Sequence, residues 1–194
     1  ATVSFTDVAC NGQCNGAASV TNPTGGTPSY TIAWVVPSTT VNPISGLCGG
    51  TTYTALITDA NNCKLFLPVP INQPAVLNAS TTVNQPLCSG NCNGTITSTP
   101  VGGNGGYTYS WSPGGATTSS VTGLCPGNYS LIVTDTKSCT TTQTFSLPGA
   151  VNITASTVAV NNNCFGNCNG SLLATSVAGG LPPYNYNWSD PLGQ

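Results

Sequence analysis

The side chains that could do chemistry are few, and most of them are cysteines. The chain has ten cysteines, four Asp+Glu, two Lys+Arg and no histidine in 194 residues. Without histidine there is no ordinary base near neutral pH, and four acids leave little for paired-carboxylate catalysis. Two cations cannot neutralise the phosphates of a nucleic acid or an anionic membrane surface. The composition therefore predicts a protein without enzymatic activity, cofactor or nucleic-acid partner. No apolar run approaches the roughly 20 residues of a membrane span.

The spacing of the cysteines reveals an internal repeat. At offsets of 76 to 78 residues, Cys10 and Cys14 recur as Cys88 and Cys92 and then as Cys164 and Cys168, Cys48 as Cys125, and Cys63 as Cys139. This predicts two complete repeats, 1–78 and 79–154. Residues 155–194 are predicted to be the N-terminal half of a third repeat, truncated or completed by another chain segment. Cys164 and Cys168 would then have no partner within the chain.

The elements that position these cysteines are predicted to be strands. Tyr107, Tyr109 and Trp111 alternate with Thr108 and Ser110, and glycine or proline pairs punctuate each repeat. Six or seven short strands in about 77 residues favour an all-β fold of tandem, disulfide-stapled, immunoglobulin-like β-sandwiches. The recurring aromatic residues are predicted to face the core: Tyr30, Trp34, Tyr107, Tyr109, Trp111, Tyr184, Tyr186 and Trp188. The alternative for this strand is a sugar-stacking platform of exposed rings.

The four cysteines of each complete repeat could form two disulfides or hold one zinc ion. Small domains with thin cores often need disulfide cross-links for stability, whereas zinc sites more often use two closely spaced cysteine pairs. The sequence therefore favours disulfides and predicts no metal site. Four cysteines allow three connectivities, which spacing alone leaves open. Asp59 and Asp135 follow a strand in the sequence Thr-Asp and are predicted to form Asx-type turns rather than calcium sites.

Asn-x-Ser/Thr sequons are present but are not enriched over chance. They lie at Asn78, Asn93, Asn128, Asn152, Asn169 and Asn187. A surface rich in Thr and Ser has few charges to keep it soluble. We therefore expect glycans on the outer face, O-linked to Thr or Ser in preference to these sites.

The most complete repeat contains the segments CSGNCNGTITSTPVGGNGGYTYSW and SSVTGLCPGNYSLIVTDTKSC. On these segments the repeat resembles the SprB-type repeat of Bacteroidetes cell-surface adhesins. The resemblance implies tandem Ig-like or PKD-like β-sandwiches, export to the cell surface and an adhesive or filament-forming role. Family members with one cysteine pair keep the first and last positions, and this supports the predicted pairing of Cys10–Cys63, Cys14–Cys48, Cys88–Cys139 and Cys92–Cys125.

The sequence thus predicts an extracellular, non-enzymatic stalk, fibre or helical filament. Its partners would be copies of itself or further repeats of the same chain, and surface glycans are a further candidate. The alternative is an array of carbohydrate-binding modules from a secreted adhesin or enzyme.

Overall fold

The computed structural model describes residues 1–88, 90–149, 151–161, 163, 166, 169–180 and 182–189. All regular structure within these residues is β-strand. The first repeat contains β1 (Thr2–Thr6), β2 (Gly16–Thr21), β3 (Thr31–Trp34), β4 (Ile44–Leu47), β5 (Thr51–Thr58) and β6 (Lys64–Ile71). The second contains β7 (Thr81–Asn84), β8 (Gly94–Ser98), β9 (Thr108–Ser112), β10 (Ser120–Leu124), β11 (Gly127–Thr134) and β12 (Thr140–Leu147). The third contains β13 (Thr154–Val160) and β14 (Ser171–Ala178).

The first repeat folds into two antiparallel three-stranded sheets. Their orders are β1-β2-β4 and β3-β5-β6. This division of the strands corresponds to the ABE/CFG arrangement of immunoglobulin-like sandwiches, in which strands one, two and four form one sheet and strands three, five and six form the other. Along β5, the buried residues Tyr53, Ala55 and Ile57 alternate with less buried neighbours. The all-β, immunoglobulin-like fold class predicted from the sequence is therefore confirmed.

The core of the first repeat lies between these two sheets. Its buried members are Val8, Ala18, Val20, Trp34, Ile44, Leu47, Tyr53, Ala55, Ile57, Val69 and Ile71. Trp34 on β3 is only 1% exposed. An aromatic residue of this size supplies a large share of the apolar area that so thin a sandwich can bury.

The second repeat has the same strand order, with sheets β7-β8-β10 and β9-β11-β12. Trp111 on β9 is 3% exposed, and its ring centroid lies 6.0 Å from that of Phe145 on β12. Tyr107 and Tyr109, on either side of Thr108, are half-buried. The period-two pattern of this strand thus leaves Trp111 as its fully buried aromatic residue.

The third repeat is a two-stranded antiparallel ladder of β13 and β14, most of it exposed. Tyr184 is half-buried, but Tyr186 is 58% and Trp188 53% exposed, so the prediction that these two residues lie in a core is wrong here. In the first repeat, β3 is covered through its pairing with β5 and by the opposite sheet. Among the described residues of the third repeat, β13 and β14 form a single two-stranded sheet, and no second sheet covers the ring of Trp188.

The chain divides into two compact units that do not follow the sequence repeats. The first contains Ala1–Ser80, Thr99–Ser110 and Leu131–Gln143. The second contains Thr81–Ser98, Trp111–Ser130 and the described residues from Thr144 onward. The first segment of the first unit ends at Ser80, close to the predicted boundary after residue 78, but two segments of the second repeat also belong to this unit. The reason lies inside the first unit, where two loops of the second repeat pack on the first repeat through contacts described below.

Candidate functional site

Three disulfides are formed among the described residues, and two of them join equivalent positions of the first two repeats. Cys14–Cys48 and Cys92–Cys125 each tie the loop before the second strand of a repeat to the loop after its fourth strand. These are two of the four pairs predicted from the sequence. Each closes a loop of 33 or 34 residues, which is worth about 4 kcal/mol in the chain-entropy model.

The third disulfide crosses from one repeat to the next. Cys10 is bonded to Cys139, 129 residues away, with a Cα–Cα distance of 5.6 Å. The predicted pairs Cys10–Cys63 and Cys88–Cys139 are therefore not the ones formed, and Cys63 and Cys88 are free and exposed. The predicted lack of a partner for Cys164 and Cys168 falls outside the described residues.

The backbone beside Cys10 explains this pairing. The Asn104 side-chain amide donates a 2.8 Å hydrogen bond to the Ala9 carbonyl, from a loop that also contacts Cys139. A disulfide needs two Cα atoms about 4.4–6.8 Å apart, and this contact brings Cys10 and Cys139 within that range. Sequence spacing carries no information about which loops meet, so this residue pair could not be found from it.

An aspartate ties the turn that carries each final cysteine to the glycine-rich loop beside it. One oxygen of Asp59 accepts from the backbone N–H groups of Asn61 and Cys63, at 2.9 and 2.8 Å, and the other accepts from Thr27 N at 2.9 Å. The bond to Asn61 is the Asx-type contact predicted for this position. Hydrogen bonds from the Thr27, Cys63 and Asn61 backbone hold the pKa of Asp59 below its ordinary value.

Asp135 makes the equivalent contacts in the second repeat. One oxygen accepts from the backbone of Lys137 and Cys139, at 2.8 and 3.0 Å. The other accepts from both the backbone and the side chain of Asn104, at 2.8 and 2.9 Å. Burial of this carboxyl, which is 5% exposed, opposes ionisation, but the four hydrogen bonds outweigh it and lower the pKa of Asp135. Asn104 thus bridges the aspartate and the first repeat.

In the second and third repeats, the glycine pair before the aromatic segment holds the linker from the repeat before, which joins β6 to β7 or β12 to β13. Gly103 N donates to the Ala75 carbonyl at 2.9 Å, and Gly180 N donates to the Val151 carbonyl at 3.1 Å. A Cβ on Gly102 would overlap the Val76 carbonyl, and its φ is +77°, so this position requires glycine. The sequence predicts only turns at these pairs, although their recurrence at 77 residues is a signal of a shared role.

Tyrosine hydroxyls fix the same loops in all three repeats. Tyr30, Tyr107 and Tyr184 each donate to the carbonyl of the first glycine of their pair, at 2.7, 2.7 and 2.6 Å. This contact accounts for their half-buried position, since the hydroxyl must reach the loop at the end of the sandwich. These tyrosines therefore position the linker-binding loop.

A second tyrosine stabilises the loop that carries the fourth-strand cysteine. The Tyr53 hydroxyl oxygen accepts from Cys48 N at 2.8 Å, and the Tyr129 hydroxyl donates to the Cys125 carbonyl at 2.9 Å. A tyrosine near the start of the fifth strand that bonds back to the preceding loop is the tyrosine corner of immunoglobulin-like domains. It supports the Cys14–Cys48 and Cys92–Cys125 disulfides directly.

A cleft of about 260 Å³ lies at the glycine loop of the first repeat. Its lining includes Gly25, Tyr30, Asp59, Cys63 and Lys64. Across the described part of the chain, no group of three or more His, Cys, Asp or Glu side chains is arranged to hold a metal ion. No helix in the same residues is long and apolar enough to cross a membrane.

All six sequon asparagines are exposed: Asn78, Asn93, Asn128, Asn152, Asn169 and Asn187. Three of them accept a local backbone hydrogen bond on the side-chain oxygen: Asn78 from Ser80 N at 2.8 Å, Asn93 from Leu87 N at 3.2 Å and Asn169 from Asn163 N at 3.2 Å. Their surfaces are accessible to a glycan without unfolding of a strand.

The repeat geometry has a counterpart among known families. The family model described as the SprB repeat matches three segments, residues 2–39, 80–116 and 156–193, which together make up more than half of the chain. The chain belongs to the SprB repeat family. SprB repeats occur in cell-surface adhesins, so the chain is an extracellular adhesin-type repeat protein, and such modules are typically non-enzymatic.

Among solved structures, the chain is similar to the C-terminal 282-residue fragment of intimin, determined in complex with the intimin-binding domain of the translocated intimin receptor. The identity is 15% and the TM-score 0.42, and the match covers 80% of this chain and 66% of that fragment. A comparison with curated proteins finds no match.

Proposed function

We propose that the chain is a non-enzymatic segment of an extracellular stalk, fibre or helical filament built from SprB repeats. The observation that carries this proposal is the coupling of consecutive repeats. The glycine loop of one repeat holds the linker of the repeat before it, and the Cys10–Cys139 disulfide adds a covalent bond across the same junction. Repeats joined in this way transmit force to their neighbours and fix the relative rotation that sets a filament's twist.

The mechanical role follows from the segments of the chain that the disulfides prevent from extending under force. An extended chain spans roughly 3.5 Å per residue. Because Cys10 and Cys139 are 129 residues apart, their disulfide prevents roughly 450 Å of extension. The loops closed by Cys14–Cys48 and Cys92–Cys125 lie inside this segment, so these two disulfides prevent no additional extension. Single-molecule stretching between the termini should show only a short extension in the oxidised chain. Reduction should add roughly 450 Å, and an oxidised chain that already extends to the full contour would refute this role.

Self-association is the proposed partner interaction. With two Lys+Arg and four Asp+Glu, copies that pack along an axis repel one another little. Electron microscopy of the native assembly tests this directly. A filament with a regular axial repeat is expected, and isolated molecules at every concentration would contradict it.

Glycosylation is the second proposed property of the surface. The six sequon asparagines are exposed, and the surface offers few charges for solvation. Intact mass spectrometry of the native protein should give a mass above that of the sequence, with the excess on Thr or Ser in greater part than on Asn. A native mass equal to the sequence mass would rule glycosylation out.

The alternative function is that of a carbohydrate-binding array, and one observation favours it. Tyr186 and Trp188 are exposed side by side on one segment, as in a sugar-stacking surface. Against it, the equivalents of Trp188 in the first two repeats, Trp34 and Trp111, are buried and cannot stack on a ligand. Glycan-array binding that is lost in Trp188→Ala but kept in the exposed control Phe66→Ala would favour the alternative.

A further inference from the structure

The cleft at the glycine loop of the first repeat is equivalent to a site that is filled in the second repeat. Its lining residues Pro23, Gly25, Gly26, Tyr30, Asp59 and Cys63 correspond, at offsets of 76 or 77, to Pro100, Gly102, Gly103, Tyr107, Asp135 and Cys139. In the first repeat this surface is open. A Cβ placed on Gly25 would meet no atom within 4 Å, whereas one on Gly102 would overlap the Val76 carbonyl.

Two parts of the first repeat occupy this site in the second repeat. One is the linker between β6 and β7, and the other is the loop between β1 and β2 that carries Cys10, here called the first-cysteine loop. Gly103 N binds the Ala75 carbonyl at 2.9 Å, and Asn78 and Val101 exchange two backbone hydrogen bonds of 2.9 and 3.0 Å. The linker and the cysteine loop reach this site together, because Asn11 Nδ2 donates to the Pro74 carbonyl at 2.9 Å. The Cys10–Cys139 disulfide completes the contact.

The open site in the first repeat is already shaped for the same occupant. The Tyr30 hydroxyl fixes the Gly25 carbonyl at 2.7 Å, as Tyr107 fixes that of Gly102. Asp59 holds the loop at Thr27 and the turn at Cys63, as Asp135 does at Asn104 and Cys139. The Cys63 thiol is free and exposed. One difference is that Thr27 replaces Asn104, so the amide donor to the Ala9 carbonyl has no counterpart.

The two free cysteines of the described residues are those that would be paired if the Cys10–Cys139 type of disulfide recurred between every two consecutive repeats. Cys10 is the first cysteine of its repeat and pairs with Cys139, the last cysteine of the following repeat. Under this rule, Cys63 would pair with the first cysteine of a preceding repeat, and Cys88 with the last cysteine of the third. These are the two cysteines that are free among the described residues.

We propose that the cleft lined by Gly25, Asp59 and Cys63 is the docking site for the linker and first-cysteine loop of a preceding SprB repeat. A disulfide between that loop and Cys63 closes the site. The two thiols each lose a proton, their sulfurs form one S–S bond, and the electron pair passes to a disulfide oxidant such as oxidised glutathione, which is released as two thiols. The proposal rests on the proposed tandem architecture and adds the contact and the cysteine pair that join each repeat to the next.

The test is the full chain preceded by one further copy of residues 1–78, refolded in a glutathione redox buffer. Non-reducing digestion and mass spectrometry should find the first cysteine of the added repeat bonded to Cys63, and Cys63 should become resistant to maleimide. In the matched variant Cys63→Ser, the first cysteine of the added repeat should instead become reactive. The Cys14–Cys48 and Cys92–Cys125 peptides in the same digest report that the chain has folded.

Two results would overturn the proposal. Cys63 could remain reactive in a chain whose other disulfides have formed, or it could be bonded to Cys10 of its own repeat. Either result leaves the proposed function standing if native filaments are seen. Absence of filaments would remove the proposed function without changing the cysteine map.

Discussion

The contact between a linker and the next glycine loop can be isolated with two matched substitutions. Gly102 and Gly25 are equivalent positions with φ of +77° and +82°. At Gly102 the added methyl group of alanine would overlap the Val76 carbonyl, whereas at Gly25 it would meet no atom within 4 Å. Gly102→Ala and Gly25→Ala therefore share the cost of the backbone conformation and differ in the linker contact alone.

The expected magnitudes follow from these two terms. An L-residue in the left-handed region costs about 1–2 kcal/mol, and this applies to both variants. Overpacking against a backbone atom adds about 1–3 kcal/mol in Gly102→Ala alone. The gain from reduced flexibility of the unfolded chain is shared and cancels. We expect Gly102→Ala to lose about 2–5 kcal/mol of unfolding free energy and Gly25→Ala about 1–2 kcal/mol.

Urea unfolding followed by far-UV circular dichroism measures the two losses. A second readout is the rate at which dithiothreitol reduces the Cys10–Cys139 disulfide, since this bond lies beside the displaced linker. Gly102→Ala should accelerate that reduction and Gly25→Ala should leave it unchanged. Equal destabilisation by both variants, with unchanged reduction kinetics, would refute the role of the glycine loop in holding the linker.

Four other substitutions test the core, the aspartate and the tyrosine corner. Trp111→Phe should cost about 1–3 kcal/mol more unfolding free energy in urea than Trp34→Phe. The reason is that Trp111 Nε1 donates to a backbone carbonyl at 2.9 Å, whereas buried Trp34 Nε1 has no partner among the described residues. Equal losses of unfolding free energy would contradict this prediction. Since the folded pKa of Asp135 lies below its ordinary 3.8, its stabilisation is complete above that pH and is lost as pH falls through the folded value. Thermal melts at roughly pH 2–6 should show that acid-dependent loss in the native chain and a smaller one in Asp135→Asn. Tyr53→Phe should cost about 1 kcal/mol in the same melts, because it leaves Cys48 N without its acceptor, and an unchanged melting temperature would contradict that assignment.

Much of the fold could be predicted because its signals are local. The alternation of Tyr107, Tyr109 and Trp111 with Thr108 and Ser110 predicts a strand with one more buried face, and β9 is such a strand. The recurrence of cysteines and aromatics at 76 to 78 residues marks the repeat, which the family match confirms. Alternation says which face a residue occupies, but not whether a second sheet covers that face. For this reason Trp34 and Trp188 look alike in sequence and differ in burial.

The cysteine pairing could not be predicted because it depends on which loops meet. The numbers of residues between Cys10, Cys63 and Cys139 permit either partner for Cys10. The choice is made by the Asn104 contact with the Ala9 carbonyl and by the approach of the linker to the glycine loop. A pairing rule taken from family members with one cysteine pair describes an isolated repeat, and here the neighbouring repeat supplies the partner.

The scarcity of charge and the coupling of the repeats have one physical basis. The junction is made of backbone hydrogen bonds, a close glycine contact and a disulfide, none of which needs a free charge. The Asp135 carboxylate at this junction is satisfied by four donors from the chain itself. Salt screens exposed charge pairs strongly, but it has little effect on contacts of these kinds. A tandem array coupled in this way can keep its geometry across the range of ionic strength that a cell-surface protein meets.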